Sequence, residues 1–204
     1  MASSECGVLK EEENDDLAVI VAGDVEGVEP MGTGRQGERG DSLLGKAALA
    51  YATQLGWPVF PCATTGKQPL TARGFKDASK DPTIIKQWWT AWPDANIGIP
   101  TGTVSSFDVL DIDLRHGGEE SLEEIIKKNG HLPDTIEALT GGGGRHIFFL
   151  HNPGLRNSVG ELPGIDVRGE GGYVIVAPSM HESGNSYEWE LSSRPGEVPL
   201  GEWP

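Results

Sequence analysis

The amino-acid sequence predicts an α+β domain with a largely antiparallel or mixed sheet. Helical and strand patterns are interspersed along the chain without the strict βαβ alternation of a parallel sheet. Glycine accounts for 29 of the 204 residues, and this abundance favours many turns over long helices. Hydrophobic residues make up 37% and charged residues 23% of the chain, which is ordinary for a globular domain with a sizeable core.

Regular structure is predicted to begin at Leu43. From Leu43 to Leu55 the apolar residues recur at the spacing of one helix face, and Gly56 is placed to end that helix. Residues 57–60 then predict a short strand, which leads into a turn at residues 64–67. This helix and strand open the predicted domain.

Two further helices carry start and stop signals. Asp81 has the side chain of an N-cap and Pro82 suits the first helical position, so a second helix is predicted from this point. A third helix is predicted to begin near Ser121, where Glu124 completes a capping box, and to end at Gly130.

The remaining regular structure is predicted to be strand. These segments are apolar or β-branched and lie between clusters of turn-forming residues. The chain contains no internal repeat. The predicted strands span residues 106–114, 135–139, 146–150, 173–176 and 186–190.

Residues 1–41 predict a disordered acidic tail, and residues 42–204 form the predicted domain. The formal net charge of the whole chain is −15, which argues against a broad basic surface for nucleic acid. Acids are concentrated in the tail, whereas residues 43–110 hold more bases than acids, so a local basic groove is compatible with this total. The tail also has the charge to dock a basic partner.

Cysteine usage and hydropathy exclude several classes of protein. Cys6 and Cys62 have no companions at zinc-ligand spacing, so neither a disulfide framework nor a cysteine zinc site is expected. No apolar run approaches the roughly 20 residues of a membrane span, so no membrane contact is expected. The N-terminus lacks the order of a secretory signal, and the expected compartment is the cytoplasm.

Asp111 and Asp113 are the first candidates for chemistry. They end an apolar strand, and side chains at i and i+2 of a strand share a face. Two carboxylates about 7 Å apart along a strand can hold divalent cations, and Mg²⁺ prefers such oxygen ligands together with substrate phosphates. A solvated strand end explains the same pattern, because an Asp-x-Asp pair alone has little specificity.

A glycine run precedes Arg145 and His146. The four glycines at 141–144 allow backbone amides to converge on an anion, and the two following side chains add donors. A flexible hairpin loop is the alternative interpretation. The run is not a P-loop of the common NTPase kind, because no Gly-Lys-Ser/Thr and no helix follow it.

Asp166 and Arg168 form a third motif within a glycine-rich segment. Asp166 supplies a third carboxylate and Arg168 a fork for phosphate, although a simple turn explains an aspartate among small residues equally well. Lys67, in a predicted turn, is a further candidate for phosphate contact. Three acids, a histidine and several cations fit phosphoryl transfer better than hydrolysis by a Ser or Cys nucleophile, since no Gly-x-Ser-x-Gly elbow is present and neither cysteine has a histidine nearby in sequence.

Other candidates have weaker patterns. Trp88, Trp89 and Trp92 have rings that stack on bases in some proteins, but the packed face of a helix is the favoured interpretation. Arg73 and Lys76 are candidates of the same kind as Lys67. Four histidines lack an acidic or histidine partner at metal-ligand spacing and receive no role. They are His116, His131, His151 and His181.

With these three motifs in order, the chain resembles the bifunctional primase–polymerase family of the archaeo-eukaryotic primase superfamily. The resemblance extends from Leu43 to Trp189, and so many matches in one order are more specific than any single motif. Apart from the three motifs, the matching segments are residues 48–52, 56–61, 66–70, 74–79, 88–89, 92–99, 101–102, 178–179, 183–184 and 187–189.

The resemblance implies a template-dependent nucleotidyltransferase, a DNA primase and polymerase of a plasmid, phage or other mobile element, with helices and mixed or antiparallel sheets around a central cleft. It implies Mg²⁺ or Mn²⁺ as cofactor, single-stranded DNA and nucleoside triphosphates as substrates, and a helicase domain or protein as a partner. The implied metal ligands and catalytic acids are Asp111, Asp113 and Asp166. The implied nucleotide contacts are His146, which also counts as catalytic, and Lys67, Arg145 and Arg168.

Two departures from the family pattern qualify these expectations. Where the second motif often has serine two residues before the histidine, this chain has Gly144, so a hydroxyl contact to the triphosphate is expected to be lost. The cysteines of a zinc-bearing insertion that helps priming are absent from the sequence, which makes polymerase activity the firmer expectation. A catalytically degenerate module that binds nucleotide or DNA within a larger replication protein is the alternative.

Overall fold

The computed structural model describes residues 42–204, and the predicted acidic tail at 1–41 lies outside the described residues. The α+β prediction is confirmed, because the described chain combines antiparallel sheets with few helices. None of the helices within residues 42–204 has the length and apolar character needed to cross a membrane.

Three α-helices and nine strands make up the regular structure of residues 42–204. The helices are α1 Leu43–Thr53, α2 Pro82–Ala91 and α3 Gly118–Asn129, and two short 3-10 helices span Gly74–Asp77 and Leu114–His116. The strands are β1 Phe60–Cys62, β2 Asn96–Pro100, β3 Phe107–Ile112, β4 Glu137–Leu139, β5 Arg145–Leu150, β6 Ser158–Leu162, β7 Ile165–Arg168, β8 Tyr173–Ile175 and β9 Glu188–Trp189.

The strands form two sheets. The smaller has the order β1-β2-β8, and the larger has the order β6-β7-β3-β5-β4-β9. All named pairs of strands are antiparallel. Strand β3 is therefore central in the larger sheet, with β5 on one side and β7 on the other.

The two faces of β3 pack into different cores. Phe107 and Val109 lie in the core that also holds the smaller sheet, α1 and α2. Leu110 and Ile112, which alternate with them, pack on the other face with Leu122 of α3. Because both faces are covered by apolar packing, the end of β3 is held rigidly in the middle of the molecule.

The first two helices agree with the sequence patterns. Helix α1 begins at Leu43, and α2 begins at Pro82 with the Asp81 carboxylate accepting a hydrogen bond from the Thr83 amide at 2.8 Å. The packing interpretation holds for two of the three tryptophans. Trp89 is fully buried and donates through its indole N–H to the Ala95 carbonyl, and Trp88 is partly buried against the same core. Trp92 follows the last residue of α2 and is 39% exposed.

The predicted start of the third helix is wrong. Helix α3 begins at Gly118, three residues before Ser121, and Gly130 follows its last residue as expected. Ser121 is not an N-cap, because its hydroxyl donates to the Pro163 carbonyl at 2.7 Å and so ties the helix to the turn before β7. A tertiary hydrogen bond has taken the place of the local capping box.

Three strands lack a prediction from the sequence. Strands β2, β6 and β7 are short or contain glycine, proline and charged residues, which weaken the strand pattern. In β2, Gly98 lies opposite Phe60 of β1, and a Cβ at this position would come within 2.4 Å of the Phe60 ring. The glycine lets that ring cover the strand, at the expense of β-propensity.

Tyr51 connects helix α1 to two distant parts of the fold. Its fully buried hydroxyl donates to the Ala177 carbonyl at 2.7 Å and accepts from the Trp189 indole N–H at 2.8 Å. Its ring also stacks on Trp57, with 6.0 Å between ring centroids. One side chain thereby joins the first helix, the segment after β8 and strand β9.

Replacing Tyr51 with Phe is expected to lower the free energy of unfolding by about 1–3 kcal/mol, because a buried carbonyl and a buried indole N–H lose their partner. Urea denaturation followed by tryptophan fluorescence measures this change. The control is Thr53→Val on the same helix, which removes an exposed hydroxyl bonded to the Leu49 carbonyl and should change stability by no more than about 0.5 kcal/mol. Equal stabilities of Tyr51→Phe and wild type would contradict the assigned role.

Candidate active site

Three neighbouring strands place the predicted catalytic side chains in one row. Asp111 on β3 lies opposite His146 on β5 and opposite Asp166 on β7. Residues directly opposite each other in a sheet point to the same face. The row therefore lies on the β3 face that carries Val109, at the end of the core shared with the smaller sheet.

Arg168 bridges the two carboxylates of the row. It lies two residues after Asp166 on β7 and so points to the same face. Its Nη2 donates to Asp111 Oδ2 at 3.0 Å and to Asp166 Oδ2 at 2.7 Å, and its Nε lies 3.3 Å from Asp111 Oδ2. One guanidinium thus balances two carboxylates that would otherwise repel each other.

His146 contacts Asp111 from the other side. Its Nε2 lies 3.4 Å from Asp111 Oδ1, and the residue is only 4% exposed. Its Nδ1 is buried and finds no hydrogen-bond partner among the described residues. An unpaired buried nitrogen costs on the order of 1–3 kcal/mol, and such groups are concentrated at functional sites.

These neighbours keep Asp111 ionised. Burial opposes ionisation, but His146 and Arg168 together outweigh it and hold the pKa of Asp111 well below its usual range. Asp166 is fixed as well, because its Oδ1 accepts a hydrogen bond from the Gly160 amide at 2.8 Å. The row therefore presents two oriented carboxylates, and Asp111 among them is ionised at neutral pH.

Asp113 is placed differently from Asp111. Strand β3 ends at Ile112, and Asp113 caps the following 3-10 helix by accepting from the Arg115 amide at 3.0 Å. Its other oxygen lies 2.7 Å from His116 Nδ1. Burial is the largest single influence and opposes ionisation, but the hydrogen bonds from His116 and Arg115 together outweigh it and lower the pKa of Asp113.

A pocket of about 280 Å³ opens over the row. Both sheets contribute to its wall, because Lys67 comes from the loop after β1 of the smaller sheet. Beyond the row, the side chains that line it include Lys67, Asp113, Arg115, His116, His181 and Tyr187. The pocket thus brings acids and several basic side chains to one space.

The structure does not bring Arg145 into this pocket. Arg145 precedes His146 on β5, so its side chain points to the opposite face. Its guanidinium forms a two-pronged ion pair with Glu137, with Nη2 2.9 Å from Oε2, and this pairing raises the pKa of Arg145. Of the cations predicted to bind nucleotide, Lys67 and Arg168 line the pocket and Arg145 does not.

Thr140 places a hydroxyl close to Gly144, the position at which the family often has a serine hydroxyl. A Cβ on Gly144 would lie 2.2 Å from the Ile112 carbonyl oxygen, so the close approach of β5 to β3 requires glycine. The Gly144 amide donates to Thr140 Oγ1 at 2.9 Å, and Thr140 lines the pocket. A hydroxyl from the start of the glycine turn therefore lies close to the position of the missing serine.

Sequence reasoning gave no role to several residues that line the pocket. Arg115 and His116 follow the first acidic motif directly, and that proximity was the available signal. His181 and Tyr187 lie after β8, where the segments at 183–184 and 187–189 match the family but were not linked to the site. Burial and, to a smaller extent, the nearby Asp111 charge raise the pKa of Tyr187 to about 12, so its phenol stays protonated beside the row.

The donor chemistry of the pocket fits a hard divalent cation. Asp111, Asp113 and Asp166 offer carboxylate oxygens, which suit Mg²⁺ and Mn²⁺. Each carboxylate already has a partner within the protein. Arg168 donates to Asp111 and Asp166, and Arg115 and His116 contact Asp113. Within residues 42–204 no three His, Cys, Asp or Glu side chains form a ready group of metal ligands.

Removing the Arg168 charge is expected to destabilise the protein most at neutral pH. The low folded pKa of Asp111 contributes stability above its unfolded pKa of about 3.9, and that contribution is lost as pH falls towards the folded value. Arg168→Gln should therefore lower the free energy of unfolding by about 1–3 kcal/mol at pH 7, and by less as pH falls below about 4.

Urea denaturation between pH 7 and pH 3, in metal-free buffer, measures this difference. The matched control is Lys46→Gln, which removes an exposed cation from α1 and should give a small difference that does not change with pH. A pH-independent loss of stability in Arg168→Gln would show that the side chain acts by packing alone.

Comparison with known proteins is consistent with this geometry. The family model described as bifunctional DNA primase/polymerase, N-terminal, matches residues 48–203. A search of curated proteins finds no relative that matches the chain. The matched range contains the acidic row, Arg168 and every pocket residue named above, and it spans most of the sequence. The chain therefore belongs to the bifunctional DNA primase/polymerase N-terminal family (Prim-Pol).

Proposed function

We propose that this domain is a metal-dependent nucleotidyltransferase that extends a nucleic-acid strand on a single-stranded DNA template. The observation that carries the proposal is the row of Asp111, His146 and Asp166 at the base of a pocket with cationic walls. Family membership supports primase or polymerase chemistry in general terms. Dependence on Mg²⁺ or Mn²⁺, a two-metal mechanism and a role in replicating a mobile element are parts of the proposal.

The charges in the pocket suit a nucleoside triphosphate. Lys67, from the loop after β1, and Arg168, from β7, both line it, so phosphate oxygens bound there would be neutralised by two cations. The Lys67 ammonium has no hydrogen bond or ion pair to another residue in the described part of the chain and remains available to a ligand. This local cluster answers the objection that the chain as a whole is acidic, since charges beyond about 8–10 Å are largely screened at physiological salt.

A second pocket of about 190 Å³ adjoins the first and suits a nucleoside. The two pockets share Lys67, Asp111, His146, Arg168 and Tyr187 in their walls. The second pocket adds Tyr173 and Asn157, which present an aromatic ring and a side-chain amide. One face of the Tyr173 ring is packed on Phe75, with 5.7 Å between centroids, so its position is fixed.

In the proposed reaction, a 3′-oxygen bonds to the α-phosphorus as the bond to pyrophosphate breaks, and the hydroxyl proton leaves to water. Asp111, Asp166 and Asp113 are the residues that would hold the divalent cations. Such ions, when bound, activate a hydroxyl and neutralise phosphate charge. His146 orients Asp111 from one side, and Arg168 neutralises negative charge beside it. The hydrophobic core under the row keeps these groups in place.

Asp111→Asn is expected to reduce nucleotide addition at least about a thousandfold, because a metal-ligating carboxylate contributes several kcal/mol to the transition state. Incorporation is measured on single-stranded DNA, with and without an annealed primer, in Mg²⁺ or Mn²⁺. Products without a primer would add primase activity to polymerase activity.

The matched control is Asp134→Asn, which removes an exposed carboxylate outside the pocket and should leave the rate unchanged. Circular dichroism of both variants checks that the fold is intact. Wild-type rates in a folded Asp111→Asn variant would refute the assignment of this residue.

A non-catalytic nucleotide- or DNA-binding module is the second candidate. The observation that favours it is the ion pairing of Asp111 and Asp166 with Arg168, which occupies oxygens that a cation needs. Binding of a nucleoside triphosphate in Mg²⁺, with no incorporation in either metal, would favour this candidate. Incorporation that disappears in Asp111→Asn would exclude it.

A further inference from the structure

Two unassigned side chains meet at one end of the pocket beside the glycine turn. A Cβ built on Gly142 would lie 3.4 Å from Arg115 Nη2 and 3.4 Å from His181 Nε2. Both nitrogens therefore face the same small space, which glycine leaves open. All three residues line the pocket over the acidic row.

The tautomer of the neutral His181 ring is fixed by its neighbours. The Ser183 amide donates to His181 Nδ1 at 3.1 Å, so this ring nitrogen is an acceptor. The Ser183 hydroxyl uses its own proton on the Gly141 carbonyl at 2.7 Å. The proton of the neutral imidazole is therefore on Nε2, the atom that faces Gly142. His181 is 9% exposed, and this buried ring presents one N–H to the pocket.

Arg115 presents a permanent charge to the same space. Its amide and its Nε are directed to Asp113, with Nε 3.4 Å from Oδ1. Arg115 is ion-paired with Asp113 through Nε, and its Nη2 makes no hydrogen bond within residues 42–204. The end of the guanidinium is thus free to donate to an anion together with His181.

The order of the two pockets indicates which anion fits. The nucleoside pocket shares Asp111, His146 and Arg168 with the larger pocket but does not include Arg115, Gly142 or His181. A triphosphate with its nucleoside beside Tyr173 would place its reacting phosphate over the shared acids. Its far end would then reach the space beside Gly142.

We propose that Arg115, Gly142 and His181 form a terminal-phosphate notch. This notch binds the γ-phosphate of a nucleoside triphosphate before the reaction. When the bond from the α-phosphorus to the bridging oxygen breaks, the electron pair of that bond stays with the departing pyrophosphate, which the notch also binds. The inference rests on the proposed function and extends it, because the notch makes the pocket select triphosphates over diphosphates.

Gly142→Ala is the sharpest test, because it fills the notch without changing charge. Gly142 has a backbone conformation open to ordinary residues, and the nearest atoms to the added methyl are the two nitrogens and the His181 ring at 3.4–3.5 Å, an ordinary contact distance, so the fold should persist. Arg115→Gln tests the same space by removing its charge. The controls are Gly154→Ala, whose Cβ meets only Asn152 Oδ1 at 3.5 Å, and Lys46→Gln.

Isothermal titration of dATP, dADP, dAMP and inorganic pyrophosphate in Mg²⁺ gives the readout. Gly142→Ala and Arg115→Gln should each raise the dissociation constants of dATP and pyrophosphate about tenfold, which corresponds to the loss of one charge-assisted hydrogen bond. The dissociation constants of dADP and dAMP should change by no more than about twofold. Equal weakening of all three nucleotides, or unchanged dATP binding, would overturn the notch. So would wild-type protein that binds neither dATP nor pyrophosphate.

Primer extension by the same samples separates the notch from the proposed function. If the wild-type protein extends primers and the variants bind pyrophosphate normally, the notch is refuted and the proposed polymerase function is unaffected. If the wild-type protein binds pyrophosphate through Arg115 and Gly142 but extends no primer, the result supports the notch as a polyphosphate site and refutes polymerase activity. Selective loss of dATP and pyrophosphate binding in an active polymerase supports both.

Discussion

Charge balance on a buried sheet face is the constraint on which the candidate site depends. Asp111 and Asp166 are adjacent on neighbouring strands, and two carboxylates in that position repel each other and lose hydration. Arg168 offsets both effects with one guanidinium, and His146 adds a partner on the opposite side. Each of these residues belongs to β3, β5 or β7. The order and register of the three strands therefore create the site.

The rest of the fold serves to hold and cover this row. On β3, Phe107 and Val109 share the face of Asp111 and are fully buried in the core with the smaller sheet. The acids thus lie where the core ends and the pocket begins. The loop after β1 of the smaller sheet then adds Lys67 to the pocket wall. A cationic wall against an acidic base requires both sheets, so neither sheet alone contains the whole candidate site.

Capping residues and other short sequence patterns predicted the helices and the candidate residues. The contacts between distant segments, which depend on strand register, were not predictable from such patterns. Asp81 and Pro82 marked α2 because capping is local. The same reasoning misplaced the start of α3, since Ser121 bonds to Pro163, which lies 42 residues away. The pairing of Asp111 with Asp166 depends on β7. The sequence of that segment, with charged residues and neighbouring glycines, was equally compatible with a simple turn. The roles of these side chains in catalysis stay predictions.

Side-chain alternation contained information that the sequence analysis did not use. Arg145 directly precedes the predicted strand at 146–150 and lies with His146 on β5, so only one of the two faces a given side of the sheet. His146 is beside Asp111, and Arg145 therefore turns to Glu137. Thr140 could be recognised only from the fold, because its contact with the Gly144 amide follows from the tight turn between β4 and β5.

The acidity of the chain and the cations of the pocket are compatible for a physical reason. A net charge of −15 repels nucleic acid at long range, but salt screens that repulsion beyond about 8–10 Å. Inside the pocket, water is partly excluded and the cations act over a few ångströms at lower effective dielectric. On the proposed function, nucleotide binding is thus governed by a few local side chains. Binding of the template, by contrast, has to work against the net negative charge of the chain, and its affinity should therefore depend strongly on the nucleotide and cations that are bound with it.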